Sequence, residues 1–444
     1  MKKHFANKNF YISTGKMLLP ITIQSIVNSL SGLIDTMMVS KIDAVSAVGT
    51  ALQIHALMEG ITFGIAAGIN IFIVQYYGAK DYCNMKKCFG LSIVAVSINA
   101  IFWIVLSLGL NLHLLRVFIN NNDVVNQSFE YLQFSCFSFI FTAIAFSFTF
   151  AYHSVQNTYV PLIISIIVVC FHILMNYVLI FVFSLGIKGA GISMIFTQVL
   201  NLELLLGYSI LSHQPFIGPF KEMFNIPKKL IIKIFKRVYP LVINETLFGF
   251  GNSLFIVAYG VLGKGVMDCY YIGNQIVNLF YTVVNAMSDA ATSMIGLEIG
   301  KRNYDYAEEE VNYFLGMASV LSVIVIITIL IFAPNIVSMF YVESLTAFNL
   351  SVSIIRVLSI KIAFRLFNVI IFASLRAGGD SKYLTFLDSI ILWGVGLPVT
   401  FLMVYVFAVR DIVLIILFGQ VEQLIRLVLG MRRLKSKKWL NIMV

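Results

Sequence analysis

Twelve apolar stretches follow one another along the chain, each near the ~20 residues that the hydrocarbon core of a bilayer requires. They run roughly over 17–39, 52–77, 89–113, 131–152, 160–183, 189–211, 238–262, 270–298, 313–334, 352–374, 384–408 and 411–430. The alternating pattern of a membrane barrel is absent, so satisfying the backbone in lipid dictates helices. The pattern also repeats at half the length of 444 residues. Pro20 answers to Pro240, Gly78-Ala79-Lys80-Asp81-Tyr82 to Gly300-Lys301-Arg302-Asn303-Tyr304, and Phe118 to Phe340. The stretch 153–159 answers more loosely to 375–383. Six spans per copy is an even number, so both copies have the same orientation: a parallel repeat about an axis along the membrane normal. The expected fold is therefore an all-α membrane protein, with twelve transmembrane helices in two six-helix bundles. The expected domains are an N-terminal lobe over 1–211, a cytoplasmic linker over 212–237 that carries Pro215, Pro219 and Pro227, and a C-terminal lobe over 238–444 ending in a basic tail. A repeat of this kind usually means a site held between the halves.

Composition agrees. Apolar residues make up 59% of the chain and charged residues 12%, with a mean hydropathy of +0.91; that charged share is about half the usual one for a soluble domain. With the N-terminus inside, the inside segments hold 22 of the 31 Lys and Arg residues. The outside loops hold Lys41, Arg116, Lys188, Lys264 and Arg410. This asymmetry predicts both termini in the cytoplasm of a multi-pass protein of the plasma (inner) membrane. It also accounts for the net charge of +10 as a topology signal with lipid headgroups nearby, not a nucleic-acid footprint. The tail Arg432-Arg433-Leu434-Lys435-Ser436-Lys437-Lys438-Trp439 reads as an interfacial anchor. The first apolar run is too long, and lacks the small-residue cleavage site, for a removable signal peptide. The five cysteines show no metal-type spacing, and disulfides are not expected at those positions. Without a phosphate loop, HExxH or GxSxG pattern, no ATP site, enzyme activity or cofactor is expected.

The chemistry should lie in polar residues within the spans, because an ionisable group in the membrane costs several kcal/mol on insertion scales and by default faces a cavity. Helical spacing sorts them into stripes. Gln24, Asn28, Ser31 and Asp35 share a face of the first span, and His55, Glu59 and Thr62 one of the second. Glu245 and Asn252, with Asn244 beside them, share a face of the seventh. The eighth carries Asn274, Asn278, Tyr281, Asn285, Asp289 and Thr292, and the tenth Lys361, Arg365 and Asn368. A quasi-symmetric polar cavity follows. Asp35 is expected to couple an ion, at a depth that would let it face Glu59. Glu245 is expected to pair with Lys361 or Arg365. Asp388 and Glu422 are late-span acids with possible Arg partners, while His55 and His172 read as hydrogen-bonded packing residues, and Asn and Ser as glue between helices. Protonation or Na⁺ binding at Asp35 would remove an uncompensated charge and shift the helix packing between two states.

Several segments resemble the multidrug and toxic compound extrusion (MATE) family. These are Pro20 followed by Asp35-Thr36-Met37-Met38-Val39, then Gln75-Tyr76-Tyr77-Gly78-Ala79-Lys80-Asp81. Asn176-Tyr177-Val178-Leu179-Ile180-Phe181 with Gly186-Ile187-Lys188-Gly189-Ala190-Gly191-Ile192 is similar to the family's fifth and sixth spans. Asn244-Glu245 resembles its seventh span, and Leu375-Arg376-Ala377-Gly378-Gly379-Asp380 the loop after the tenth. Their order and spacing cover nearly the whole chain. The resemblance implies a secondary antiporter, coupled to H⁺ or Na⁺, that exports small organic, cationic or amphipathic compounds by alternating access; separately, a monomer in the lipid bilayer is expected. It implies ion-coupling roles for Asp35, Asn176 and, in the branch typified by NorM, Glu245; Glu59 joins them from the stripe analysis. That branch has an Asp eleven residues before the loop arginine, where this chain has Arg365, so the resemblance does not carry over a cation-binding C-terminal lobe. A lipid-linked oligosaccharide flippase of the same superfamily is the alternative, since Lys361 and Arg365 would suit a phosphate.

Overall fold

The computed structural model describes residues 6, 8–42, 44–110, 112–116, 122–338 and 344–440; the matched pair Phe118 and Phe340 and the side chain of Ser31 lie outside this description. Among the described residues the long elements are all helices: α1 (Lys8–Ser40), α2 (Val45–Gly78), α3 (Tyr82–Leu110), α4 (Asn122–Ser135), α5 (Ser138–Ser154), α6 (Tyr159–Val182), α7 (Gly186–Leu211), α8 (Lys228–Gly260), α9 (Lys264–Gly300), α10 (Tyr304–Val337), α11 (Leu345–Ala377), α12 (Ser381–Val406) and α13 (Ile412–Lys435). Eight of them, α2, α3, α6, α7, α8, α10, α12 and α13, are long and apolar enough to cross a membrane. The pair α4 and α5, bent by 56° at a short break, makes a ninth. The helices α1, α9 and α11 are as long, at 33, 37 and 33 residues, and carry three of the five polar stripes. With α4 and α5 taken as one bent span, the helices fall one per predicted apolar stretch.

Two compact units divide the chain. One comprises 19–242, the other 1–18 with 243–444. In the first, α2 packs on α3, α4 and α5 around a core that includes Ile54, Met58, Val96, Trp103, Phe139 and Ile180. In the second, α11 is the central helix, packed on α9, α10 and α13.

The backbone repeats as the sequence does. Lys80 (φ 59°) and Arg302 (φ 62°) are left-handed, as are Gln156 (φ 59°) and Gly379 (φ 69°), Ser184 (φ 52°) and Ala408 (φ 50°), and His213 (φ 49°) and Lys437 (φ 55°). Each pair stands 222 to 224 residues apart. These residues stop helices: after them, the Asp81 amide bonds the Tyr76 carbonyl at 2.9 Å, Asn303 bonds Glu298 at 2.9 Å, Asn157 bonds Tyr152 at 3.0 Å and Asp380 bonds Leu375 at 2.8 Å. This is the Schellman arrangement, which satisfies carbonyls that a helix end leaves open. The duplicated Gly-Ala-Lys-Asp-Tyr and Gly-Lys-Arg-Asn-Tyr motifs are thus a helix stop and restart. At the C-terminal ends of α6 and α12 the bonds reach six residues back, Leu185 to Leu179 at 3.1 Å and Val409 to Met403 at 2.9 Å. Both helices finish there in wide π-helical turns, Val178–Val182 and Leu402–Val406.

The basic tail departs from expectation. Trp439 is 1% exposed, and its Nε1 donates to the Leu434 carbonyl at 3.2 Å. Arg433 donates to Asp380 at 2.7 Å and lies over the Tyr383 ring, and Lys437 pairs with Glu308. A Cβ on Gly378 would meet the Trp439 carbonyl oxygen at 1.8 Å. The tail is therefore built into the second unit, because its aromatic ring finds an apolar seat at the α11–α12 turn.

Candidate functional site

Each unit holds a polar network among its helices. In the first unit, α1 brings Asp35 to α6. Asn176 Nδ2 donates to Asp35 Oδ1 at 2.8 Å, and His172 Nε2 stands 3.0 Å from Asp35 Oδ2. His172 and Asn176 are four residues apart, so α6 presents both on one face. Asn176 Nδ2 also lies 3.3 Å from His172 Nε2. Behind them α7 supplies Ser193, whose hydroxyl bonds Asn176 Oδ1, and Thr197, whose Oγ1 is 2.8 Å from His172 Nδ1. Thr197 also donates to the Ser193 carbonyl at 2.8 Å. The Asp35 side chain is 28% exposed and that of His172 8%, so the carboxylate is the open end of this chain of bonds.

The remaining first-unit candidates are dispersed. His55 bonds Ser135 at 3.0 Å, as expected of a packing histidine. Thr62 donates to Met58 and accepts from Asn99. Glu59 is half-buried and does not bond Asp35; Tyr131 of α4 lies within electrostatic reach of both acids. Gln24 is half-buried and Asn28 exposed, and neither joins the Asp35 network.

The second unit holds a larger, ionic network. Asp388 sits in a π-helical turn, Phe386–Ile390, a widening common at functional positions. Its carboxylate accepts from Arg426 at 3.1 Å, Arg365 at 3.4 Å and Asn244 at 3.1 Å. Arg426 is fully buried; it also donates to the Asp388 carbonyl at 2.7 Å and to Glu422 at 3.2 Å. Ser389 donates to Asn244 Oδ1 at 2.7 Å. Glu422 is held by Gln423, which accepts in turn from Asn368 at 2.9 Å. Gly396 makes room for this carboxylate: a Cβ there would stand 2.2 Å from Glu422 Oε2. The guanidinium of Arg365 lies between Phe248 and Phe372, at 5.1 and 5.6 Å from the ring centroids.

Glu245 joins this network differently from expectation. Its hydrogen-bonded partner is Arg376 at 3.4 Å, a residue that the sequence reading assigned to a cytoplasmic loop and that α11 in fact carries one turn further. Arg365 is within electrostatic reach of Glu245 but bonds Asp388. Lys361 lies near Tyr281, Tyr270 and Glu422, and Asp289 near Arg376. Asn368 is fully buried against Gln423, and Asn252 donates to its own helix at Phe248. Asn274, Asn278 and Asn285 take no part in the network. The signals that could have found Arg426 and His172 were present: each stands four residues from a polar neighbour on its helix, Glu422 and Asn176.

Comparisons with known proteins give one pattern. A family model described as MatE matches residues 20–178 and again 240–402, starts 220 and ends 224 residues apart. The sequence is 23% identical over 403 residues to the probable multidrug resistance protein YoeA of Bacillus subtilis (strain 168), covering 88% of this chain and 86% of that one. It is 26% identical over 420 residues to the uncharacterized transporter YisQ of the same organism, covering 89% and 88%. A crystal structure described as MATE in the bent conformation superposes with a TM-score of 0.87 at 16% identity, covering 98% and 99% of the two chains. An outward-facing conformation of a multidrug resistance MATE family transporter of the MOP superfamily superposes with a TM-score of 0.86 at 17% identity, covering 96% of each.

Proposed function

Because the chain belongs to the MATE family, whose members are membrane transporters and not enzymes, we propose that it is a secondary antiporter. It exports small organic, cationic or amphipathic compounds by alternating access, driven by entry of a cation, H⁺ or Na⁺. It works as a monomer in the plasma membrane with both termini in the cytoplasm. Asp35 is its principal coupling carboxylate, held by Asn176, with Glu59 and Glu245 as the further candidate acids.

One observation carries the choice of Asp35. In the second unit Glu245, Asp388 and Glu422 each bond an arginine, a fixed cation that keeps a carboxylate charged. Asp35 bonds a histidine and an amide instead. Its charge can therefore be neutralised and restored without stranding a permanent cation in the membrane, where such a group is costly. A bound ion changes the bonds that Asp35 makes to α6, and with them the relative stability of two helix packings.

The test is transport by purified protein in liposomes, with an imposed pH or Na⁺ gradient and a panel of fluorescent cationic dyes. Gradient-driven dye movement is expected in the wild type and should be lost in Asp35→Asn, which keeps the shape of the protonated acid and cannot titrate. Wild-type transport by that variant would remove Asp35 from the mechanism.

A further inference from the structure

We infer that the coupling ion is a proton, and that it is held jointly by Asp35 and His172 in a contact that exists only while the proton is present. This rests on the reading of Asp35 as the coupling carboxylate, and adds to it the identity of the ion and a second residue.

The argument is a count of hydrogens. Thr197 has one hydroxyl hydrogen, and its Oγ1 is 2.8 Å from the Ser193 carbonyl, which can only accept. The same Oγ1 is 2.8 Å from His172 Nδ1, so the hydrogen of that bond belongs to Nδ1. A neutral imidazole carries one hydrogen, and here it is spent on Thr197. His172 Nε2 then presents a lone pair toward Asp35 Oδ2, 3.0 Å away. Two acceptors at that distance repel each other. The contact requires a further proton, carried either by the carboxyl or by the imidazole.

Asn176 supplies what the empty state needs. Its amide hydrogens point to Asp35 Oδ1 at 2.8 Å and toward His172 Nε2 at 3.3 Å. When the proton leaves, Nε2 already has a donor beside it and Nδ1 keeps Thr197. The imidazole stays satisfied, and only the bond between α1 and α6 is lost. The proton comes from water on the side to which Asp35 is open, bridges Oδ2 and Nε2, and returns to water on the other side. Among titratable neighbours, Tyr131 of α4 lies within electrostatic reach of both Asp35 and Glu59; His55 of α2 bonds Ser135. Na⁺ fits this arrangement poorly. A hard cation takes oxygen ligands, whereas Asp35 is met by the N–H groups of Asn176 and by a ring nitrogen. Ser193 Oγ lies against both Asn176 Oδ1 and the Ala190 carbonyl, at 2.8 Å from the latter, and shares its one hydrogen between them.

Histidine-selective ¹⁵N nuclear magnetic resonance on the protein in liposomes tests this. The chain has six histidines, and the His172 signals are those lost in His172→Gln. At low pH both ring nitrogens should sense a proton. At high pH Nδ1 should keep its hydrogen and Nε2 should be bare, the reverse of the usual preference of a free imidazole. In Asp35→Asn the Nε2 transition should be displaced. Thr197→Val should move the high-pH hydrogen to Nε2, and Thr197→Ser should restore it to Nδ1. Exchanging K⁺ for Na⁺ at fixed pH should change nothing. A wild-type hydrogen on Nε2 at high pH would overturn the proposal, as would a transition indifferent to Asp35→Asn or a spectrum that shifts with Na⁺. Dye transport by Asp35→Asn at the wild-type rate would instead remove the coupling role of Asp35 and leave the spectroscopic results standing as a local property of the site.

Discussion

Asp35 and Asp388 are both carboxylates inside long apolar helices, yet their neighbours differ. Asp388 accepts from two arginines, whereas Asp35 meets a histidine and an amide. Replacing Arg426 by Met should strand Asp388 and Glu422 and lower stability by about 3–5 kcal/mol, the range for breaking a buried pair by removing one partner; thermal unfolding of the purified protein in detergent measures it. Adding Asp388→Asn and Glu422→Gln should recover part of that loss. For Glu245, a double-mutant cycle with Arg376→Gln should show a coupling of about 0.5–3 kcal/mol, larger than the cycle with Arg365→Leu. Equal couplings would mean that the Glu245–Arg376 bond at 3.4 Å carries no special weight. Asp35, Glu245 and the acids at 388 and 422 were legible in the sequence because charge inside an apolar run stands out, whereas Asn176 came from the family resemblance alone. Their partners were not. Helical spacing tells which side chains share a face of one helix, and nothing in it says which other helix that face meets. His172 therefore read as packing, and Arg376 as a loop residue.

At the scale of elements, the apolar runs marked each span, but the helices outrun them. The first stretch, 17–39, lies inside a helix that begins at Lys8, and the last, 411–430, inside one that continues to Lys435. Hydropathy senses the lipid-facing middle of a helix, whereas the end is decided by a backbone stop. Those stops allow a prediction. Gln156 and Gly379 hold equivalent left-handed positions. Gly379→Ala should cost about 1 kcal/mol, since a side chain there meets the following carbonyl. Gln156→Gly should change stability by much less, because relief of that clash is offset by the freedom glycine gains in the unfolded chain. The tail was misread for a related reason. Its basic residues and tryptophan have the composition of an anchor, and composition does not reveal that Gly378 leaves a seat for Trp439. Gly378→Ala should expel Trp439, seen as a red shift of its fluorescence and faster trimming of the tail by carboxypeptidase. An unchanged spectrum would mean that the turn absorbs the extra methyl.

For the whole molecule, the charge asymmetry predicts where the loop before α8 lies. A single cysteine at Phe220, in a background without the other five cysteines, should resist an impermeant maleimide added outside intact cells and react in inverted vesicles. Ready labelling from outside would reverse the topology. The twofold organisation was the most legible property of all, because a repeated motif needs no knowledge of contacts. Yet the two halves share a scaffold and not a chemistry. The Asp35 network rests on α1, α6 and α7, and the ionic one on their repeat equivalents α8, α12 and α13 together with α11, but their acids stand at positions that do not match. The paired left-handed stops bear on how such a chain came about. Where one gene segment is copied and joined to itself, both copies begin with the same side chains and the same turns. A side chain can change in one substitution once a neighbour tolerates it. A helix stop cannot drift without sliding every residue behind it to another face. Descent from such a copy would therefore preserve the punctuation and rewrite the words, as where the turns at Lys80 and Arg302, or Ser184 and Ala408, still pair and the acids do not.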